Sequence, residues 1–258
     1  SRTSVDLGIH ADIKNVLAYL NEKCDLKKDP SWVNTLNQEF QDWTKRNGQK
    51  TQIDEDSKLV LPQVLARQIS DLASEDAIFV IDTGTAAIWA SNFMNFHSER
   101  RIIGAFNHGS MAVGLPAAIG AQLQYPDREI WALVGDGAFN MMLQDFSTAV
   151  EYELPIKIIV LNNSELGFVK IEMEEAGLAP NYDALEVKNF NFSEYAKPFI
   201  MDAHVSSGAL SLPPKIDFHM AKNFGVSKIK EVIQAAKGDK KNWENIKNEV
   251  KAFFDAEF

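Results

Sequence analysis

The chain reads as α/β, a doubly wound parallel sheet with helices on both faces, and three stretches carry that reading. Ala77-Ile78-Phe79-Val80-Ile81 is an apolar run that ends in the small polar turn Asp82-Thr83-Gly84-Thr85 and passes into a helical Ala86-Ala87-Ile88-Trp89-Ala90. Arg101-Ile102-Ile103-Gly104 is a second short strand, followed by a helical segment on which Gly114, Ala117, Ala118 and Ala121 recur. Ile130-Trp131-Ala132-Leu133-Val134 and Ile156-Lys157-Ile158-Ile159-Val160-Leu161 are two more apolar runs, with a helix expected over Gln144 to Tyr152 between them. Runs that stay apolar without alternating mark strands buried on both faces. Strand, turn and helix in series place such strands in parallel.

The remaining elements follow from periodicity and punctuation. Val5 to Ile9 reads as a strand remnant, and Ile13, Val16, Leu17 and Leu20 share one face of a helix after it. Cys24 to Lys58 is polar and interrupted by Pro30, with helical patches around Trp32 and Phe40, and reads as a linker. Val60 to Leu72 is an amphipathic helix. The small-residue stripe from Gly114 to Ala121 predicts close backbone approach to a neighbour, and Trp89 belongs in the core.

Composition excludes several classes. The 258 residues are 45% hydrophobic and 24% charged, ordinary for a globular chain with ample material for a core. A formal charge of −10 is the wrong sign for a general nucleic-acid binder. Cys24 is the single cysteine, so no internal disulfide framework exists, which suits a reducing cytoplasm. No apolar run reaches the length of a membrane span. The chain begins Ser-Arg-Thr-Ser without Met, as a piece of a larger protein would.

The strongest motif is Gly135-Asp136-Gly137, then 24 residues from Ala138 to Leu161, then Asn162-Asn163. Each half follows an apolar strand, so Asp136 and Asn163 are expected at the carboxyl ends of two strands of one βαβ unit. Ligands bind open α/β sheets at that edge. A carboxylate and an amide oxygen there suit Mg²⁺ or Ca²⁺, which take hard oxygen ligands and share their shell with phosphates. The flanking glycines allow backbone N–H groups to approach a diphosphate.

With these two half-motifs at this spacing, the chain resembles the thiamine diphosphate enzymes. Phe106-Asn107-His108-Gly109-Ser110-Met111-Ala112, Asn162-Asn163-Ser164-Glu165-Leu166-Gly167-Phe168-Val169 and Leu212-Pro213-Pro214-Lys215-Ile216 resemble the pyruvate oxidase branch, in particular its quinone-reducing members. The resemblance implies thiamine diphosphate, Mg²⁺ and FAD as cofactors and pyruvate as substrate. It divides the chain into the end of a central flavin-binding domain (1–28), a linker (29–58), the diphosphate and magnesium domain (59–211) and a C-terminal tail (212–258). It also implies site roles. Asp136, the Asn163 side chain and the backbone of Glu165 would hold Mg²⁺. Gly84, Thr85, Ala138 and Phe139 would donate to the diphosphate, flanked by Ser110, Gly135 and Gly137. Met111 would wedge the cofactor into its bent form, and the carbonyl of Gly109 would accept from its aminopyrimidine. Phe168 and Glu172 match positions near substrate and flavin.

Taken singly, Met111 and Phe168 would be core, and the run Glu172-Met173-Glu174-Glu175 a solvated face. His108 is either a hydrogen-bonded loop residue or an acid/base. In the resembled enzymes a separate pyrimidine-binding domain presses a glutamate against the cofactor, and the site forms between subunits of a homo-oligomer, a dimer of dimers. This chain is therefore expected to supply half a site and to be inactive alone. The resemblance also skips roughly 30 residues at Ala196-Lys197, on the order of one βα unit, and missing residues with closed-up numbering are the expected cause.

In the tail, Lys215 to Lys251 carries nine lysines against five acidic residues, and Trp243, Ile246, Val250, Phe253 and Phe254 share a helical face. That pattern predicts either an interfacial helix in peripheral membrane contact or a helix docked on its own protein. A carboligase of the acetolactate synthase kind and a cofactor-binding fragment without turnover are the rival functions. A nicotinamide dehydrogenase is a poor third, because Asn140 stands where G-x-G-x-x-G needs its last glycine.

Overall fold

The computed structural model describes residues 4–24, 29–51, 60–97, 99–195, 200–206 and 218–236. The chain divides into two compact units, Ser1–Lys45 and Arg46–Phe258. In the first, helix α1 (Ile13–Lys23) is capped by Asp12, whose carboxylate accepts from the N–H groups of Lys14 at 3.0 Å and Asn15 at 3.3 Å. Val5 to Ile9, expected as a strand, is exposed and irregular; among the described residues no strand pairs with it, and an extended backbone needs a ladder partner. Helix α2 (Ser31–Gln49) is continuous through the segment expected to hold only helical patches. Pro30 starts it rather than interrupting it: its carbonyl accepts from Asn34 N–H at 2.8 Å, and Asp29 Oδ1 accepts from Ser31 N–H at 2.9 Å.

The second unit is the α/β body. Its elements run α3 (Pro62–Leu72), β1 (Ile78–Ile81), α4 (Thr85–Phe93), β2 (Arg101–Ile103), α5 (Gly114–Gln124) and β3 (Ile130–Gly135). After these come α6 (Asp136–Met141), α7 (Phe146–Glu151), β4 (Lys157–Asn162), α8 (Gly167–Glu175), α9 (Tyr182–Leu185), α10 (Phe192–Tyr195), β5 (Ile200–His204) and α11 (Phe218–Ala236). The five strands are all parallel, in the order β2-β1-β3-β4-β5.

Period-two burial assigns the helices to faces. Ile78, Val80, Ile130, Ala132, Val134, Ile158 and Val160 meet Leu115 and Ala118 of α5, Phe139 of α6 and Phe146 of α7. Phe79, Ile81, Trp131, Leu133, Ile159 and Leu161 meet Ala66 and Ile69 of α3 and Ala86, Trp89 and Phe93 of α4. Both faces are covered, as the apolar runs predict. The expected helix over Gln144 to Tyr152 is corrected: α6 begins at Asp136 itself, and only Phe146–Glu151, after a 3₁₀ turn at Leu143–Asp145, is helical in the second half. Strand β5 was not anticipated. The Ala196–Lys197 junction just before it lies outside the described residues.

Helix α11 docks on α8 through a buried polar knot. Lys228 Nζ donates to Glu174 Oε1 at 2.5 Å and to Glu231 Oε1 at 2.8 Å, and Tyr182 Oη donates to Glu231 Oε2 at 2.8 Å. So the run Glu172 to Glu175 is not uniformly solvated: Glu172 and Glu175 are exposed, but Glu174 faces Lys228 from inside. This part of the tail is a docked helix; Trp243 and the other apolar residues after Ala236 lie outside the described residues. No helix among the described residues is long and apolar enough to cross a membrane.

At the foot of β3, Glu129 accepts from Lys157 Nζ at 2.7 Å, Ser74 N–H at 3.0 Å and Trp131 Nε1 at 3.1 Å. Burial pushes its pKa up, but these three donors outweigh it and hold the carboxyl at about 2, below its ordinary 4.5. A depressed carboxylate pKa stabilises the fold above the ordinary value and stops doing so as pH falls through the folded one. Because both partners are partly exposed, Glu129→Gln is expected to cost only about 1 kcal/mol at neutral pH. Urea unfolding should show the gap between variant and wild type closing as pH falls from 4.5 towards 2.

Candidate functional site

The winding direction of the sheet reverses between β1 and β3, since β2 lies beyond one and β4 beyond the other. Such a switch point is where open α/β sheets bind ligands, at the carboxyl ends of the strands. The turn Asp82-Thr83-Gly84 leaves β1 there, Gly135-Asp136-Gly137 leaves β3, and Asn163 to Leu166 leaves β4.

Asp136 is only 3% exposed, which is unusual for a carboxylate that makes no ion pair among the described residues. Its Oδ1 accepts from Gly137 N–H at 2.9 Å; its Oδ2 accepts from Ser164 N–H at 2.8 Å and Asn189 Nδ2 at 2.7 Å. Burial pushes its pKa up, and the Asn189, Gly137 and Ser164 donors recover only part of that shift. The bond to Ser164 ties the β3 and β4 loops together. It depends on Ser164 at φ 57°, a left-handed conformation that costs a non-glycine residue about 1–3 kcal/mol. Asn163 Oδ1 accepts from Glu165 N–H at 3.3 Å.

Two glycines show what converges on these loops. A Cβ on Gly167 would lie 3.0 Å from Asn163 Nδ2, 3.3 Å from Thr85 Cγ2 and 3.8 Å from Glu165 Oε1. A Cβ on Gly137 would lie 3.1 Å from Leu166 Cδ2 and 3.8 Å from Met111 Cε. Thr85, Asn163 and Glu165 therefore gather at Gly167, and Met111 and Leu166 at Gly137, next to Asp136, so that four loops meet at this edge. The Met111 loop is anchored by buried Asp82, whose Oδ2 accepts from Gly114 N–H at 2.8 Å and Oδ1 from Thr83 N–H at 2.7 Å. Burial raises the Asp82 pKa despite these bonds. The turn itself needs Gly109 at φ 68° and Ala112 at φ 69°.

Gly84, Gly109 and Gly135 face open space, where an added Cβ would meet nothing within 4 Å. Gly84 and Gly135 precede α4 and α6, and neither helix start has a side-chain cap. At the start of α6, Gly137 N–H is instead taken by Asp136 Oδ1. Among the described residues no three His, Cys, Asp or Glu side chains form a metal cluster. A cation here would take one carboxylate with amide and main-chain oxygens, a hard set that suits Mg²⁺ rather than zinc.

Ser110 is partly buried beside Met111, whereas His108 is exposed and its N–H donates to Ala105 O at 3.2 Å. Phe168 is 38% exposed on the first turn of α8, with Glu172 exposed one turn later. Asp82, Ser164 and Asn189 join the site without belonging to either half-motif. The clue for Asp82 was a carboxylate at a strand end in an apolar setting. Nothing in the polar stretch around Asn189 separates it from its neighbours.

Residues 82–237 match the family described as thiamine pyrophosphate enzyme, C-terminal TPP binding domain. The chain is 29% identical over 202 residues to the pyruvate oxidase of Lactiplantibacillus plantarum, covering 78% of this chain and 33% of that protein. It is 32% identical over 171 residues to the acetolactate synthase large subunit of Corynebacterium glutamicum, covering 64% and 26%. The thiamine diphosphate-dependent 4-hydroxybenzoylformate decarboxylase of Rhodococcus jostii RHA1 superposes with a TM-score of 0.50 at 27% identity, covering 57% of this chain and 28% of that one. The chain spans about a third or less of the length of these relatives. With that match beginning at the turn after β1 and enclosing every loop of the crevice, the chain belongs to the thiamine pyrophosphate enzyme family, as its C-terminal cofactor-binding domain.

Proposed function

We propose that this chain supplies the diphosphate and magnesium half of a pyruvate oxidase-type enzyme. That enzyme would decarboxylate pyruvate oxidatively and pass two electrons through flavin. With a quinone as electron acceptor, water would take the acyl group and acetate would leave; with oxygen, inorganic phosphate would take it and acetyl phosphate would leave. The observation that carries the reading is the convergence of Asp136, Asn163, Glu165, Thr85 and Met111 on one crevice with uncapped helix starts beside it. Thiamine diphosphate, when bound, supplies the electron sink for decarboxylation.

The roles of this chain's residues are then to hold and orient. Asp136, the Asn163 side chain and the Glu165 backbone would ligate Mg²⁺. The N–H groups of Gly84, Thr85, Ala138 and Phe139 would receive the diphosphate, close to Gly135 and Gly137. Met111 would press on the cofactor from the loop fixed by Asp82, with Ser110 beside it, and the Gly109 carbonyl would accept from the aminopyrimidine. Phe168 and Glu172, exposed on this chain alone, would face substrate and FAD contributed with the remaining domains of a homo-oligomer.

The match to the pyruvate oxidase covers more of the chain, 78% against 64%, whereas that to the acetolactate synthase has the higher identity, 32% against 29%. The reaction itself must therefore separate oxidation from carboligation. The test is anaerobic mixing of the full-length protein with pyruvate. Bleaching of bound flavin is the expected result. Acetolactate formation without flavin reduction would assign the protein to the carboligases instead.

A further inference from the structure

We infer that Asn189 is the positioning residue of the metal-binding carboxylate, and that Asn162 links it to the strands. This rests on the proposed role of Asp136 as a magnesium ligand. A lone buried carboxylate can rotate about its terminal torsion, which is broad and two-fold. Here three donors fix its plane: Gly137 N–H on Oδ1, and Ser164 N–H with Asn189 Nδ2 on Oδ2. Two of the three are backbone groups of the loops themselves. Asn189 is the side chain that reaches in from outside the motif.

Asn189 is itself held in one orientation. Its Oδ1 accepts from Asn140 Nδ2 at 2.8 Å, and its amide nitrogen also donates to Asn162 Oδ1 at 2.9 Å. Turned over, the amide would set oxygen against both Asp136 Oδ2 and Asn162 Oδ1, so the network fixes which way it points. Asn162 in turn donates through Nδ2 to Asp202 Oδ1 at 3.0 Å, and its Oδ1 accepts from Ser164 Oγ at 3.3 Å. The line Asp202, Asn162, Asn189, Asp136 thus runs from the middle of β5 across the carboxyl ends of β4 and β3. The two asparagines of the doublet divide the work: Asn162, 3% exposed, belongs to this line, and Asn163 turns towards the site. An amide also suits the position electrostatically. It orients the carboxylate without adding a positive charge that would oppose a cation.

The test is a Mg²⁺ titration of the full-length protein at saturating thiamine diphosphate, for wild type, Asn189→Ala and Asn189→Leu. Loss of a hydrogen bond that orients a metal ligand weakens the metal by roughly 10–100-fold. Half-saturating Mg²⁺ is expected to rise by that factor, with cofactor binding restored at high Mg²⁺. Asn140→Ala, which frees the Asn189 amide without touching Asp136, should shift it less and in the same direction, and keeps the test open if the first variants do not fold. A lower unfolding temperature with unchanged half-saturating Mg²⁺ would show a merely structural residue and overturn the inference. A wild type that binds the cofactor without any Mg²⁺ dependence would overturn the metal site and this inference with it. The wild-type curve therefore judges the site, and the ratio of variant to wild type judges Asn189.

Discussion

Asp136→Ala should weaken magnesium-dependent binding of thiamine diphosphate by more than the roughly 10–100-fold that a lost supporting hydrogen bond costs. Tryptophan fluorescence during Mg²⁺ titration at fixed cofactor would measure it. The carboxylate is the acidic side chain proposed to meet the cation, and its burial adds a pH signature. Burial raises its pKa, so without metal the fold holds that proton more tightly than the unfolded chain does. The resulting stabilisation is complete below the ordinary carboxylate pKa and is lost as pH rises through the raised one. Metal binding has the opposite sign, because Mg²⁺ needs the ionised form and releases the proton. Apparent Mg²⁺ affinity in the wild type should therefore fall between neutral and mildly acidic pH.

Lys228→Met should destabilise the α/β body by about 3–5 kcal/mol, the cost of removing the cation from a buried ion cluster. Glu174 and Glu231 side chains are 4% and 1% exposed, and both bond to Lys228 Nζ. The knot also holds the segment that supports the site. Tyr182 on α9 donates to Glu231, the Leu185 carbonyl at the end of α9 accepts from Leu166 N–H at 2.8 Å, and Val187 N–H donates to Ser164 O at 2.8 Å. Urea unfolding of the variant should show the lower midpoint. A companion with Glu174→Gln and Glu231→Leu added should recover much of the loss, since replacing a whole buried ion cluster by uncharged groups is often neutral. A single variant as stable as wild type would contradict a structural role for the knot.

The α/β class and the strands β1, β3 and β4 were legible because each is buried on both faces and so reads as an unbroken apolar run. Strand β2, largely exposed, was legible only from Ile102-Ile103 before the Gly104 turn. The metal loops were legible because spacing and strand ends coincide at Asp136 and Asn163. Strand β5 was not: Ile200-Met201-Asp202-Ala203-His204 mixes a polar line into an edge strand, and Asp202 is there to hold Asn162. Helix α2 was hidden by its polarity, because nearly all of its side chains are exposed and Pro30 looked like a break instead of a start. Asn189 and Ser164 were invisible for a different reason. Their importance lies in pairings of loops that no local pattern encodes, a left-handed turn in one case and a side chain reaching 53 positions back along the chain in the other.

Every role proposed for this domain depends on metal-dependent capture of thiamine diphosphate at the β3 and β4 loops. Calorimetric titration of thiamine diphosphate into the full-length protein, once with Mg²⁺ and once with EDTA, tests it directly. Saturable heat with Mg²⁺ that vanishes in EDTA is the predicted result. Absence of binding in both, or equal binding in both, would contradict it.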